Sequence, residues 1–212
     1  GIEFYKDQIS DTAVIKDRSE IVTKEKQLQQ LWDKGDSSFI VLTEQILETE
    51  NYNYLANFLL GSYYLPKILL EHTDMMESFK INLYEEAFEA YKTQSESRLL
   101  YIERACTVKE RHREQVITEL VAYFISDIEK GLSSISAKKQ KEDYLQDLKM
   151  VSALYMIPMI LELKFEISDA LADEIMKQWN HNFMAYKYKK GYYTEIVSGF
   201  RKKGFCFVTT AV

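Results

Sequence analysis

Three side chains near the middle of the chain have the chemistry of a phosphodiester-cleaving site. Arg104, Arg111 and His112 fall in one short window. An imidazole can move a proton, and a guanidinium can stabilise charge that builds up on a phosphate. They lie in or beside Lys109-Glu-Arg-His-Arg-Glu-Gln115, which is polar all round. On either side the pattern is apolar along one stripe, with Ile102 and Cys106 before it and Ile117, Leu120, Phe124 and Ile128 after it. A polar interval inside such a pattern also reads as a solvated overhang or as a break in the helix.

Metal chemistry finds no donor set. Helical di-metal sites use Glu-x-x-His pairs, but the residues three before His72, His112 and His181 are Leu69, Lys109 and Gln178. No Cys-x-x-Cys, His-Glu-x-x-His or glycine-rich phosphate loop occurs. The reading therefore includes no metal and no cofactor.

A second chemistry-bearing stretch runs from Tyr186 to Gly204. It carries Lys187, Lys189, Lys190, Arg201, Lys202 and Lys203 against the single acid Glu195, in a chain whose formal net charge is −6. Tyr192, Tyr193 and other aromatics are interleaved. Basic residues among aromatics suit an acidic protein partner, single-stranded nucleic acid or an anionic surface. They equally suit a helix C-terminus, where lysines complement the macrodipole and tyrosines pack. Cys206 follows, close to the cations that can depress a thiol pKa. Asn180-His181-Asn182, beside Trp179 and Phe183, reads as a satisfied half-buried polar cluster.

The elements that must position these residues are helical. Seven Gly and two Pro in 212 residues leave few places to turn, which argues for long helices and few connections. The first clear helix is 18–34, with Ile21, Leu28, Leu31 and Trp32 on one face and Gly35 as its stop. Asp36-Ser37-Ser38 caps a second helix to Glu48. Asn51 or Asn53 caps a third, kinked at Pro66. Thr73-Asp74 caps a fourth over 75–92. Ser95 or Ser97 opens a fifth that runs unbroken to Lys130-Gly131. The sixth is 138–165 with Pro158 inside it. Ser168-Asp169 caps a seventh, 169–190, and a short eighth spans 193–202. Val151–Leu163 is apolar almost all round, but it is shorter than the ~18–20 residues a membrane span needs, so it reads as the central buried helix. The fold expected is all-α: a single multi-helix bundle of seven to eight helices over 1–204, with a short extended tail over 205–212.

Two family resemblances bear on function. Arg104 and His112 resemble the Arg-x(4–6)-His motif of HEPN-type helical ribonucleases, although seven residues separate them here. The resemblance implies a nuclease using Arg104, Arg111 and His112. At the other end, Cys206-Phe207-Val208-Thr209-Thr210-Ala211 resembles the opening of the CFI box, a C-terminal element of bacterial proteins, with Val208 in place of Ile. That resemblance implies a bacterial, cytosolic protein and a chain cut off inside the box. It assigns no biochemistry.

Two cysteines a hundred positions apart form no disulfide framework, and no charged-apolar-small leader opens the chain. Both point to a cytoplasmic setting. The function expected is a non-enzymatic module that binds a protein or another macromolecule, with 186–204 as its working surface. The helical ribonuclease is the alternative.

Overall fold

The computed structural model describes the backbone of residues 2–80, 83–191 and 194, and the side chains of 18–79, 83–191 and 194. Among them the helices are α1 (Ile2–Asp33), α2 (Phe39–Thr49), α3 (Tyr54–Leu70), α4 (Met75–Lys80), α5 (Tyr84–Val108), α6 (Arg113–Ser134), α7 (Lys138–Val151), α8 (Ile157–Leu163) and α9 (Ser168–Asn182). A π-helical turn, Ser152–Met156, joins α7 to α8, so these two form one continuous rod. No strand occurs among the described residues. The chain is an all-α bundle.

The punctuation is local chemistry. Gly35 adopts φ +66° after α1. Its N–H donates to Trp32 O and the Asp36 N–H to Leu31 O, both at 2.9 Å. This pair closes the helix, and it needs a left-handed residue that glycine supplies without a Cβ clash. Asp36 then opens α2, its carboxylate accepting from the Ser38 N–H and hydroxyl at 3.0 and 2.7 Å. Of the two asparagines before α3, Asn53 is the cap: its Oδ1 accepts from the Ala56 N–H at 3.0 Å.

Several boundaries differ from the expected ones; α1, expected from residue 18, already runs from Ile2. α4 stops at Lys80, and α5 runs straight through Ser95 and Ser97. Ser95 is buried inside the helix with no partner for its hydroxyl, so it packs rather than caps. The expected unbroken fifth helix is broken, and the polar interval supplies the break: α5 ends at Val108, and the tight turn Glu110–His112 leads into α6. Ser168 does not cap α9 either. The Glu103 carboxylate on α5 accepts from the N–H groups of Glu166 and Ile167 at 3.2 and 3.3 Å, while the buried Ser168 hydroxyl has no partner. A distant carboxylate thus takes the N–H of the N-cap residue, Ile167, and that of the residue before it.

The core forms where α3 meets its neighbours. Its residues 56–62, 65, 66, 68 and 69 are buried, and it packs against α1, α2, α5, α6 and α7. The rod α7–α8, expected as the central buried helix, is buried over 151–157, 159 and 160 and packs against α3, α4, α5 and α9. At Gly61 a Cβ would stand 3.0 Å from Ile102 Cγ1 and 3.4 Å from Leu120 Cδ2. The close approach of α3 to α5 and α6 therefore depends on the missing side chain.

Buried phenols complete the accounting at helix interruptions. In the π turn the Ile157 N–H reaches back five residues to Ser152 O, and Pro158 has no N–H to offer Leu154 O. Tyr84 supplies the missing donor, its hydroxyl 2.6 Å from that carbonyl. Tyr91 likewise donates to Ile68 O near the end of α3 at 2.8 Å, and Tyr155 to Met75 O at 3.1 Å.

Candidate interaction surface

The three residues of the nuclease reading are not gathered into one site. Arg111 and His112 occupy the exposed turn between α5 and α6. With Glu110, Arg113, Glu114 and Gln115 they line an open depression of about 500 Å³. Arg104, half-buried on α5, is not part of it. The His112 N–H donates to Lys109 O at 2.8 Å, but its imidazole has no hydrogen-bond or ion-pair partner among the described residues, so nothing there orients it as proton-transfer chemistry requires. Arg113, next in the chain, instead pairs with Glu166 at 2.8 Å and ties α6 to the turn before α9.

The basic, aromatic stretch behaves as a clasp as far as it is described. α9 ends at Asn182, eight residues before the expected Lys190, and the chain turns back through Met184–Tyr186. Trp179 Nε1 donates to Tyr186 O at 2.9 Å. Asn180 holds the backbone of Tyr188 from both sides: its Oδ1 accepts from the N–H at 3.0 Å, and its Nδ2 donates to the carbonyl at 2.8 Å. The buried Tyr188 hydroxyl lies 2.6 Å from Ser152 Oγ in the π turn. Lys190 pairs with Asp169 at 2.7 Å and Asp173 at 3.3 Å, and the Asp169 hydrogen bond raises its pKa above the ordinary lysine value. Lys187 and Lys189 are exposed. Tyr192, Tyr193, Arg201, Lys202, Lys203 and Cys206 lie outside the described residues.

Sequence reasoning missed a different surface. Eight aromatic rings touch in succession round the α1–α2 corner of the bundle. Tyr54 meets Phe58 at 5.7 Å between centroids, Phe58 meets Tyr123 at 6.2 Å, and Tyr123 meets Trp32 at 6.0 Å. From Trp32 the contacts continue to Phe39 at 5.0 Å, Tyr63 at 5.4 Å, Tyr64 at 5.1 Å and Tyr101 at 5.9 Å. Phe39 and Phe58 are buried beneath; the other six rings are partly open to solvent, and Tyr123 is 42% exposed. Three cations sit on ring faces: Lys109 on Tyr54 at 5.0 Å, Lys67 on Tyr63 at 4.6 Å and Arg98 on Tyr64 at 5.2 Å. Burial, before any neighbouring charge, pushes the Tyr54 and Tyr64 phenols above their ordinary pKa. The rings come from five helices, so no single periodicity links them.

Searches of family models, curated proteins and solved structures return no match to this chain.

Among the described residues, no helix is long and apolar enough to cross a membrane. No group of three or more His, Cys, Asp and Glu there is placed to hold a metal ion. The aromatic band carries Tyr, Trp and Arg, the residue types enriched in protein–protein contacts.

Proposed function

We propose that this chain is a non-enzymatic helical module that binds a macromolecular partner, and that the partner is a protein. The supporting observation is the aromatic band: six partly open Tyr and Trp rings, with Lys67, Arg98 and Lys109 already seated on three of them. Half-open aromatics on rigid helices offer large contact area at small entropic cost. The clasp formed by 183–190 serves the bundle, closing the end of α9 against the π turn. The tail resemblance extends this reading to a bacterial, cytoplasmic module joined at residue 205 to a CFI-box-like element.

The test is affinity capture of the full chain in parallel with Tyr123→Asp. The wild type is expected to retain a discrete protein partner that the variant loses while keeping its helical circular dichroism. Capture of the same set by both, or of nothing beyond bare resin, would sink the reading.

A further inference from the structure

The clasp delivers the chain to an apolar groove. Ala153, Ile157, Pro158 and Leu161 line it from the rod, where the π turn runs into α8, and Tyr188 and Thr194 line it from the returning chain. Three of the rod residues recur every four positions, so they form one helical stripe. Pro158 and Leu161 on that side remain partly exposed. The groove encloses about 150 Å³, room for one phenyl-sized group. Two observations name its occupant. The first is continuity with the clasp. Tyr188 belongs to both, its backbone held by Asn180 and its hydroxyl by Ser152. The chain then turns at Gly191, φ +89°, and is helical at Thr194. The second is the sequence that follows. Residues 195–212 lie outside the described residues, but Ile196, Val197 and Phe200 fall at i, i+1 and i+4 among Glu195, Ser198, Gly199 and Arg201. On the short helix expected over 193–202, those three share one face. From Thr194 to Phe200 such a helix rises about 9 Å, and the wall from Ala153 to Leu161 rises about 12 Å. The stripe therefore suits the wall in chemistry and in length. A segment tethered this closely also meets its seat at an effective concentration of order millimolar, ahead of any free competitor of equal affinity.

We propose that this groove seats residues 195–200 of the same chain. Ile196 and Val197 cover the apolar wall of the rod, and the Phe200 ring fills the phenyl-sized space. The clasp is thereby extended into a strap across the π turn and α8, which fixes where Arg201, Lys202 and Lys203 leave the bundle. The inference goes beyond the protein-binding reading and stands or falls independently of the aromatic band.

The test is thiol labelling of the full chain in a Cys206→Ser background, where the buried Cys106 stays silent. Two reporters are compared: Leu161→Cys in the groove wall, and Met184→Cys at a position 70% exposed. The Leu161→Cys thiol is expected to react about tenfold more slowly than the Met184→Cys thiol. Adding Phe200→Asp, or separately Val197→Asp, should remove most of that protection while helical circular dichroism is kept. Phe200→Leu should preserve it. Equal rates at the two reporters would show an open groove and overturn the proposal. Protection that survives both aspartate variants would mean that the clasp alone covers the wall, and overturns it as well. Protection that fades on dilution, with a dimer in sedimentation, assigns the groove to a second copy and overturns the intramolecular seat.

Discussion

Tyr84 and Pro158 are a matched pair. The proline removes a donor from the buried rod, and the phenol, seventy residues before Leu154, replaces it at 2.6 Å from Leu154 O. Tyr84→Phe keeps the ring and leaves that carbonyl unpaired in the core. The expected cost is about 1–3 kcal/mol in urea unfolding, against about zero for Tyr123→Phe on the surface. An equal effect of the two would refute the pairing. Only the proline half of this pair was legible in the sequence. Pro158 announced an interruption, but nothing in the spacing of tyrosines says which hydroxyl reaches it. Asn53 shows the opposite case. Its role as a cap depends on the N–H three residues ahead, so it can be read from a few neighbouring residues.

At the scale of elements, two predictions follow from packing. Asn180→Ala removes both hydrogen bonds to the Tyr188 backbone. Cleavage by trypsin at Lys187 and Lys189 should then accelerate well before global unfolding, and unchanged protection would mean that Trp179 and Tyr188 hold the clasp alone. Gly61→Val drives branched carbon into Ile102 and Leu120 at the α3–α5–α6 crossing. It should cost about 1–3 kcal/mol or more, seen as a lower unfolding midpoint; an unchanged midpoint would show that the neighbours give way freely. The helix starts and stops at Gly35, at Asp36 and at Asn51 or Asn53 were readable because they are decided within one turn of chain, and the structure selected Asn53. The α4–α5 boundary was not. Ser95 and Ser97 have the residue type of caps, but tertiary contacts bury Ser95 and carry the helix past both. The break at 109–112 was visible only as a polar interval, since a solvated helix and a tight turn share that composition.

For the whole molecule, burial fixes a direction in pH. It pushes the Cys106 thiol up from 9.0 to about 12 and the Tyr155 phenol from 10.0 to about 12. Tyr91 and Tyr188 are raised the same way. Between the ordinary and the raised values, the unfolded chain has released protons that the folded chain still holds. Stability from these groups is therefore complete below about pH 9 and declines as pH rises toward 12. Urea midpoints should fall steadily on the alkaline side of pH 9, and Cys106→Ala should flatten the first part of that fall. A flat profile to pH 11 or so would contradict the burial of these groups.

The sequence by itself determined the class of this protein. Scarce Gly and Pro, capped amphipathic stretches and a segment too short to span a bilayer left an all-α bundle as the outcome, because helix formation is decided over a few residues at a time. Only the tertiary structure decided what faces what. It made Lys190 an internal ion-pair partner and left Arg104 outside the depression that holds Arg111 and His112. It also joined rings from five helices into one band and set Glu25 beside Glu50. These are contacts between residues far apart in the chain. Their distances depend on how whole helices pack, and no local pattern of residue types encodes that packing.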